Sequence, residues 1–346
     1  MMVFKGRKGT FIIVLLIALF LVVLLSTAIG SANNPLPDVL NAILIKIPGL
    51  GSLAGPVSPS NETIIYDIRL PRIILGVIVG AGLAVSGVAL QGLFRNPMAD
   101  PYILGISFGA ALGATIAVLA PVNLGWLSYI FMTLMAFLGA LVSVYVVYSL
   151  SRVGGRIPIQ TLLLAGLAVG ALLSAITMTL MIYSKELSQR ILFWIVGGLS
   201  ARGWVHVEVA LPGVVVGTAV LYMFARELNV LSSGEEPARH LGIEVETMKK
   251  IILAASTLVS AAVVSVSGLI AFVGLIVPHM MRIVVGPDHR VLIPASLLAG
   301  GILLVGSDTV ARMVIIPGEL PVGTITAILG APFFIYLLRK NKKAMF

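Results

Sequence analysis

Side chains able to do covalent chemistry are few in this sequence. There are four histidines, His206, His240, His279 and His289, and no cysteine. That composition removes disulfides, thiolate metal sites and cysteine nucleophiles. His279 and His289 flank a turn with Arg282, Asp288 and Arg290. A hydrolytic or metal site needs its ligands to converge on a cavity, and the simpler expectation here is a polar turn of solvated charges. No G-x-x-x-x-G-K-[ST] phosphate loop occurs, so if ATP drives this protein its hydrolysis belongs to another polypeptide. We assign no catalytic residue, no metal site and no cofactor to the chain itself, and a membrane enzyme is disfavoured.

The sharper constellation is cationic. Arg69 and Arg72 sit in Arg69-Leu70-Pro71-Arg72, and Arg312 follows Asp308 by one helical turn. Interfacial snorkelling would account for the first pair and an i,i+4 Asp–Arg pair for the third. Docking of an acidic external partner accounts for them equally well. Elsewhere the apolar stretches carry almost no ionisable residue at mid-depth. Ion-coupled carriers usually need such residues, although backbone carbonyls can also bind sodium. A secondary transporter therefore stands as the alternative.

The elements that hold these residues are written in the hydropathy. Of 346 residues 59% are hydrophobic and 11% charged, and the mean hydropathy is +1.09. A soluble domain carries roughly 25% charged residues, so most of this surface faces lipid. Apolar runs near 11–29, 73–93, 126–148, 161–183 and 207–224 are long enough to cross, and 103–120, 291–306 and 322–338 are shorter candidates. Ile251 to Val285 as one helix would be about 52 Å long at 1.5 Å per residue, against a hydrocarbon core of ~30 Å. It must fold back, and Ser265-Val266-Ser267-Gly268 offers the turn, giving two short spans and a total of ten. The first run, preceded by Lys5, Arg7 and Lys8 and followed by the small-residue stretch Ala28–Ala32, is longer than a signal-peptide core and is expected to remain as an uncleaved helix.

Charge tests that count. Lys5, Arg7 and Lys8 open the chain, and Arg339, Lys340, Lys342 and Lys343 close it. By the positive-inside rule both ends are cytoplasmic, which requires an even number of spans. With ten, sixteen of the 23 Lys and Arg fall inside; Lys46, Arg69, Arg72, Lys185, Arg190, Arg202 and Arg312 fall outside. The net charge of +9 follows from topology and does not call for nucleic acid. Outside, Gly30 to Asp67 forms a long loop with room for a short surface helix; its Asn61-Glu62-Thr63 sequon is expected by chance. Inside, Arg226 to Lys250 is the largest segment, with Glu235–Leu241 and Val245–Ile251 as two short helices hinged at Gly242. The pairs Gly76/Gly80, Gly105/Gly109, Gly109/Gly113, Gly166/Gly170 and Gly213/Gly217 permit close helix approach but, at chance-like frequency, define no dimer face.

Several segments together resemble one family. They are Arg69-Leu70-Pro71-Arg72; Ser86-Gly87, Gln91 and Arg95-Asn96-Pro97-Met98-Ala99-Asp100-Pro101; Leu104-Gly105-Ile106-Ser107; Gly268 to His279 with Arg282; Asp288-His289-Arg290; and Asp308, Arg312 and Glu319-Leu320-Pro321-Val322-Gly323, closing on Gly330-Ala331-Pro332-Phe333. In collinear order over essentially the whole chain they are similar to FecCD-type permeases, the membrane subunits of type II ABC importers for iron–siderophore complexes, haem and cobalamin. The departure is Gly268-Leu269-Ile270-Ala271, where many relatives carry a second glycine. The resemblance implies an all-α permease of about ten spans, a single domain over 1–346 with a coupling segment at about 229–250. It implies a homodimer in the cytoplasmic membrane, served by two cytoplasmic ATPase subunits that hold ATP–Mg and by one external binding protein. It assigns Arg69, Arg72 and Arg312 to binding-protein docking. Glu235, Ala238, Arg239, Leu241 and Gly242, in the family's A-x-x-L-G pattern, would couple to the ATPase. Ala165, Gly166, Gly170, Ser174 and Met178 would line or gate the pathway. The cargo is not identified by these motifs; iron chelates are favoured on breadth of use.

Overall fold

A computed structural model describes residues 8–30, 34–120, 128–184, 187–315 and 318–341. Lys5, Arg7, Lys185, Lys342 and Lys343 of the charge count, and Ala32, lie outside the described residues. Helices occupy all ten expected span positions: α1 Lys8–Ala28, α2 Leu70–Leu93, α3 Ile106–Leu119, α4 Ser128–Ser151, α5 Ile159–Tyr183, α6 Trp204–Met223, α7 Val245–Ser267, α8 Val273–Val285, α9 His289–Val314 and α10 Val322–Asn341. Among the described residues seven helices are long and apolar enough to cross a bilayer and three, within α3, α8 and α10, are shorter. Among the described residues the only strand-like pairing is an isolated bridge between Val153 and Arg156.

Two boundaries differ from expectation for identifiable reasons. No Gly or Pro interrupts the chain from Val245 to Ser267, so the expected short helix Val245–Ile251 is the first part of the 23-residue α7. Only α8, at 13 residues, is a short span after the fold-back. Likewise the run 291–306 grows into the 26-residue α9. Its start is capped by the Asp288 carboxylate, which accepts from the Arg290 amide, and its end runs past Asp308 and Arg312 because both charges find partners inside the protein. The long loop after α1 holds the helix Leu36–Lys46, and a helical path from Pro59 through a wider-wound turn at Ile64–Arg69 leads directly into α2.

The packing places α2 at the centre. Its most apolar window is 89% buried, against 17% for α1 and 28% for α4, α5 and α6, so the latter four present most of their surface to lipid or to another chain. Within lipid no hydrophobic drive joins helices, and close backbone approach through small residues takes its place. Gly80 of α2 and Gly300 of α9 face each other so tightly that a Cβ on either would collide with the other's carbonyl; a Cβ on Gly87 would collide with the Gly274 carbonyl of α8, and one on Gly274 would press on the Leu83 carbonyl of α2. The glycine pairs noted in the sequence are used within the chain: Gly109 and Gly113 pack α3 on α4, Gly166 packs on Ile103, and Gly213 and Gly217 pack α6 on α7.

The fold-back occurs where expected. α7 ends at Gly268, whose φ of +69° needs no Cβ and whose missing Cβ leaves room for the Trp194 carbonyl. The connecting residues 269–271 make no helical bonds of their own, so their polar groups need partners from elsewhere. Tyr102 supplies two: its hydroxyl donates to the Ile270 carbonyl at 2.9 Å and accepts from the Ile270 amide at 3.0 Å. Tyr102 is itself fixed by Asp100, which accepts from its amide at 2.8 Å. This is the structural work of the Asn96–Pro101 motif, in which Asn96 also accepts from the Met98 amide.

Two outcomes follow for the purified protein in detergent. Tyr102→Phe strands both polar groups of Ile270 and should cost about 1–3 kcal/mol, read as a lower thermal midpoint; an unchanged midpoint would show that the tie is dispensable. Gly80→Val should destabilise by roughly 1–3 kcal/mol or more through overpacking. Gly306→Ala on the same α9, where a Cβ meets nothing within 4 Å, should leave the midpoint where it is.

Candidate functional site

At one end of the bundle the three arginines come together, and all are buried: Arg69, Arg72 and Arg312 are 6%, 8% and 5% exposed. That rules out snorkelling into water. Arg69 sits in the turn that feeds α2, and its Nη1 donates to the carbonyls of Thr27 at 2.7 Å and Ala28 at 3.0 Å. Arg312 reaches the same helix end, donating to Ser26 O at 3.1 Å and Ile29 O at 3.2 Å. The last carbonyls of α1 lack intrahelical partners and carry the negative end of its dipole, so two guanidiniums are a matched cap. Arg72 is held differently. It donates in bidentate fashion to Asp308, from Nε at 3.0 Å and Nη2 at 2.8 Å, and from Nη1 to Glu319 at 2.8 Å. Asp308 also faces Arg312 Nε at 3.2 Å, the i,i+4 pair foreseen from spacing.

Asp308 and Glu319 were the residues that spacing did not connect to Arg72, since they lie 236 and 247 positions away. The available signal was Asp308's position as an acid in an otherwise apolar span. Glu319 is exposed, with 34% of its side chain open, and also accepts from the Ser200 hydroxyl at 2.9 Å. Burial would push its carboxyl up, but the hydrogen bond and charge of Arg72 outweigh that and hold it below the usual carboxylate range.

At the opposite end lies the helix Glu235–His240. It closes with the Ile243 amide on the Ala238 carbonyl at 3.0 Å and the Gly242 amide on the Arg239 carbonyl at 3.0 Å. That pair of bonds is a Schellman cap, which demands a left-handed residue at Gly242; its φ is +81°. The A-x-x-L-G spacing is thus a helix stop. Ala238 is fully buried and anchors the helix, while Leu241 is 70% exposed, an apolar side chain held out on a rigid cap. Arg239 is exposed beside it. Glu235 pairs with Lys249 of α7 at 2.9 Å and with Arg239 at 3.6 Å. Lys249 is 4% exposed and further binds Glu246 at 3.1 Å and the Ile157 carbonyl at 3.2 Å. The short helix is therefore tied through one buried lysine to α7 and to the start of α5.

The α5 residues separate onto two faces. Gly166 and Gly170 are buried against the Ile103 carbonyl and the Phe108 ring, Ala165 and Ser174 lie at the margins, and Met178 is 62% exposed. The outward face also carries Leu164 and Leu167. The histidine turn also departs from a solvated one. His289 is 2% exposed; its amide donates to Asn229 Oδ1 at 2.8 Å, and its ring Nδ1 lies 2.7 Å from the same oxygen. Of the five polar residues named there only Arg290 is exposed, because Asn229 from the segment after α6 folds over the turn. Among the described residues no group of three or more His, Asp or Glu side chains is arranged for a metal.

Among the described residues seven long apolar helices, the buried α2 one of them, and three shorter ones pack together, with a charged knot at one end and a capped apolar knob at the other: the architecture of a polytopic membrane protein. The chain belongs to the FecCD transport family, whose profile matches residues 16–340. It is 52% identical over 288 residues to a cobalamin import system permease of Halobacterium salinarum, covering 83% of this chain and 76% of that one. To a hemin transport system permease of Yersinia pestis it is 38% identical, over 95% and 96% of the two chains. A solved inward-facing structure described as a metal-chelate type ABC transporter superposes with a TM-score of 0.82 at 30% identity, covering 96% of this chain and 99% of that one.

The charged knot is directly testable. Asp308→Asn leaves two buried guanidiniums without their shared anion and should cost about 3–5 kcal/mol, measured as loss of thermal stability. For Glu319 the sign is set by its depressed folded pKa. Its stabilisation is complete above the unfolded value of about 4.3 and is lost as pH falls through the lower folded value. Wild type should therefore exceed Glu319→Gln in thermal midpoint near neutrality, and the gap should close below about pH 4. A gap that persists in acid would show that the Glu319 charge is not what Arg72 requires.

Proposed function

We propose that this chain is the membrane-spanning permease subunit of an ABC importer that carries a bulky metal chelate inward, working as a single permease domain paired with a second copy of itself in the cytoplasmic membrane. The observation that carries the proposal is the Schellman-capped helix with Leu241 exposed at its tip. An apolar side chain on a rigid knob, flanked by the exposed Arg239, suits a groove on a soluble partner. Its attachment through Glu235 and Lys249 to α7 gives a displacement of the knob a route into the bundle. Two ATPase subunits holding ATP–Mg would seat there, on the cytoplasmic side with both chain ends. Cobalamin is the first cargo to test, since identity to a cobalamin permease is 52% against 38% to a hemin permease.

The arginine knot at the far end would receive an external binding protein. Because Arg72 already holds Asp308 and Glu319, an incoming acidic side chain would act by competing with the exposed Glu319 for Arg72. Arg69 and Arg312 would keep the α1 end rigid beneath it. For the pathway, the outward α5 face bearing Met178 is a better wall than the packed Gly166 and Gly170, with Ala165 and Ser174 at its edges.

Reconstitution with the partner ATPase and binding protein tests the whole. Labelled cobalamin, haem or ferric siderophore should accumulate in proteoliposomes only with ATP, and uptake that follows a sodium or proton gradient instead would favour the secondary transporter. Leu241→Asp should abolish ATPase association and uptake while the thermal midpoint, with that side chain already in water, stays within about 0.5 kcal/mol of wild type. Full uptake by that variant would remove the coupling assignment.

A further inference from the structure

Beside the arginine knot is a cavity of about 450 Å³ with more positive charge than the chain neutralises. Its charged lining is Arg72, Arg190, Arg202 and Glu319. Arg72 and Glu319 neutralise each other, and Arg72 has Asp308 behind it. The surplus is Arg190 and Arg202, and neither has a carboxylate partner among the described residues. Arg202 is half-buried, and its one contact is Nη1 to the His206 ring at 3.1 Å. Burial pulls that guanidinium down from its ordinary value with no anion to offset it. Arg190 stands in the first turn of the helix Ser188–Val196, at the positive end of its dipole, where an acidic residue is the favoured choice. The two observations are independent, and each leaves positive potential uncancelled in the same space. A partly desolvated cation without an anion, as Arg202 is, is costly, and with the exposed Arg190 across the same space the pair fits an anion that arrives from outside. The remaining walls, including Phe193, Trp194, Leu199 and Leu320, are apolar and suit the body of a bulky chelate.

Building on the importer proposal, we infer that this cavity is a binding site for the cargo in which Arg190 and Arg202 accept an anionic group of the chelate, a carboxylate or a phosphate, while the apolar walls hold its body. The site would favour negatively charged chelates over neutral ones of the same shape.

Matched probes decide this on the full chain in nanodiscs, without ATPase or binding protein. Hemin is compared with its dimethyl ester, and cobalamin, which bears a phosphodiester, with cobinamide, which lacks that group together with the nucleotide it carries, so that the arginine variants separate the charge from the lost base. Wild type should bind the member that bears the anionic group tenfold or more tighter in at least one pair, with the preference shrinking as salt rises. Arg202→Gln and, separately, the exposed Arg190→Gln should each remove most of that preference and leave the uncharged member unchanged; Arg202→Lys should retain part of it. Which pair discriminates identifies carboxylate or phosphate. Equal binding within both pairs, or no binding of any probe, overturns the inference. So does a loss in the variants that is the same for charged and uncharged members. Variants that change only the affinity for a binding protein would assign these arginines to docking and also refute it. The importer reading does not fall with it, because ATP-dependent uptake of an uncharged chelate would sustain that reading alone.

Discussion

Polar backbone groups left over by broken or ended helices must find partners inside the protein wherever water is excluded. Most of the polar side chains in this structure are placed by that requirement. The end of α1 exposes carbonyls, and Arg69 and Arg312 reach them from α2's lead-in and from α9. The connection between α7 and α8 strands Ile270, and one tyrosine hydroxyl serves both its amide and its carbonyl. Gln91 of α2 donates to the Leu275 carbonyl at 3.1 Å and accepts from Arg282 at 2.9 Å. Each tie joins elements distant in sequence, so the same bonds that satisfy the backbone also hold the bundle in register.

This links packing to charge placement. Glycine contacts bring α2, α8 and α9 so close that no side chain separates their backbones. With the helices fixed at that spacing, Arg72 on α2 and Asp308 on α9 are brought face to face. A buried ion pair contributes little net stability of its own; its strength here is geometric, since the Asp308 carboxylate meets one guanidinium in bidentate fashion and a second from the following turn. The knot therefore fixes where α9 ends relative to α1 and α2, the arrangement an external partner would meet.

The two ends also differ in mechanical character. At the Leu241 end a short helix is held by the buried Ala238, one buried lysine and a glycine cap. At the arginine end many bonds converge on few atoms. α7 and α9 run between the two ends, and Asn229 clasps α9 at its start through Asp288 at 2.8 Å and the His289 amide. A displacement applied at one end thus meets continuous helices and not flexible loops.

The sequence by itself determined the membrane class, all ten helix positions, the fold-back after Ser267 and the bend at Gly242, because these follow from local physics: the length of apolar runs, the reach of one helix, and glycine at a left-handed turn. Its motifs were sufficient for the family. Tertiary structure alone decided what the singled-out side chains touch. Arg69, Arg72 and Arg312 are buried ties, Ala238 is buried under its helix, Gly166 and Gly170 face inward, and His289 is enclosed. It also extended α7 and α9 past their hydropathic limits, since a charged residue ends a predicted span but not a helix whose charges are matched by neighbours. The pairing of Arg72 with Asp308 spans 236 residues, and no local rule reaches that far: it exists only because glycine packing brings α2 and α9 together.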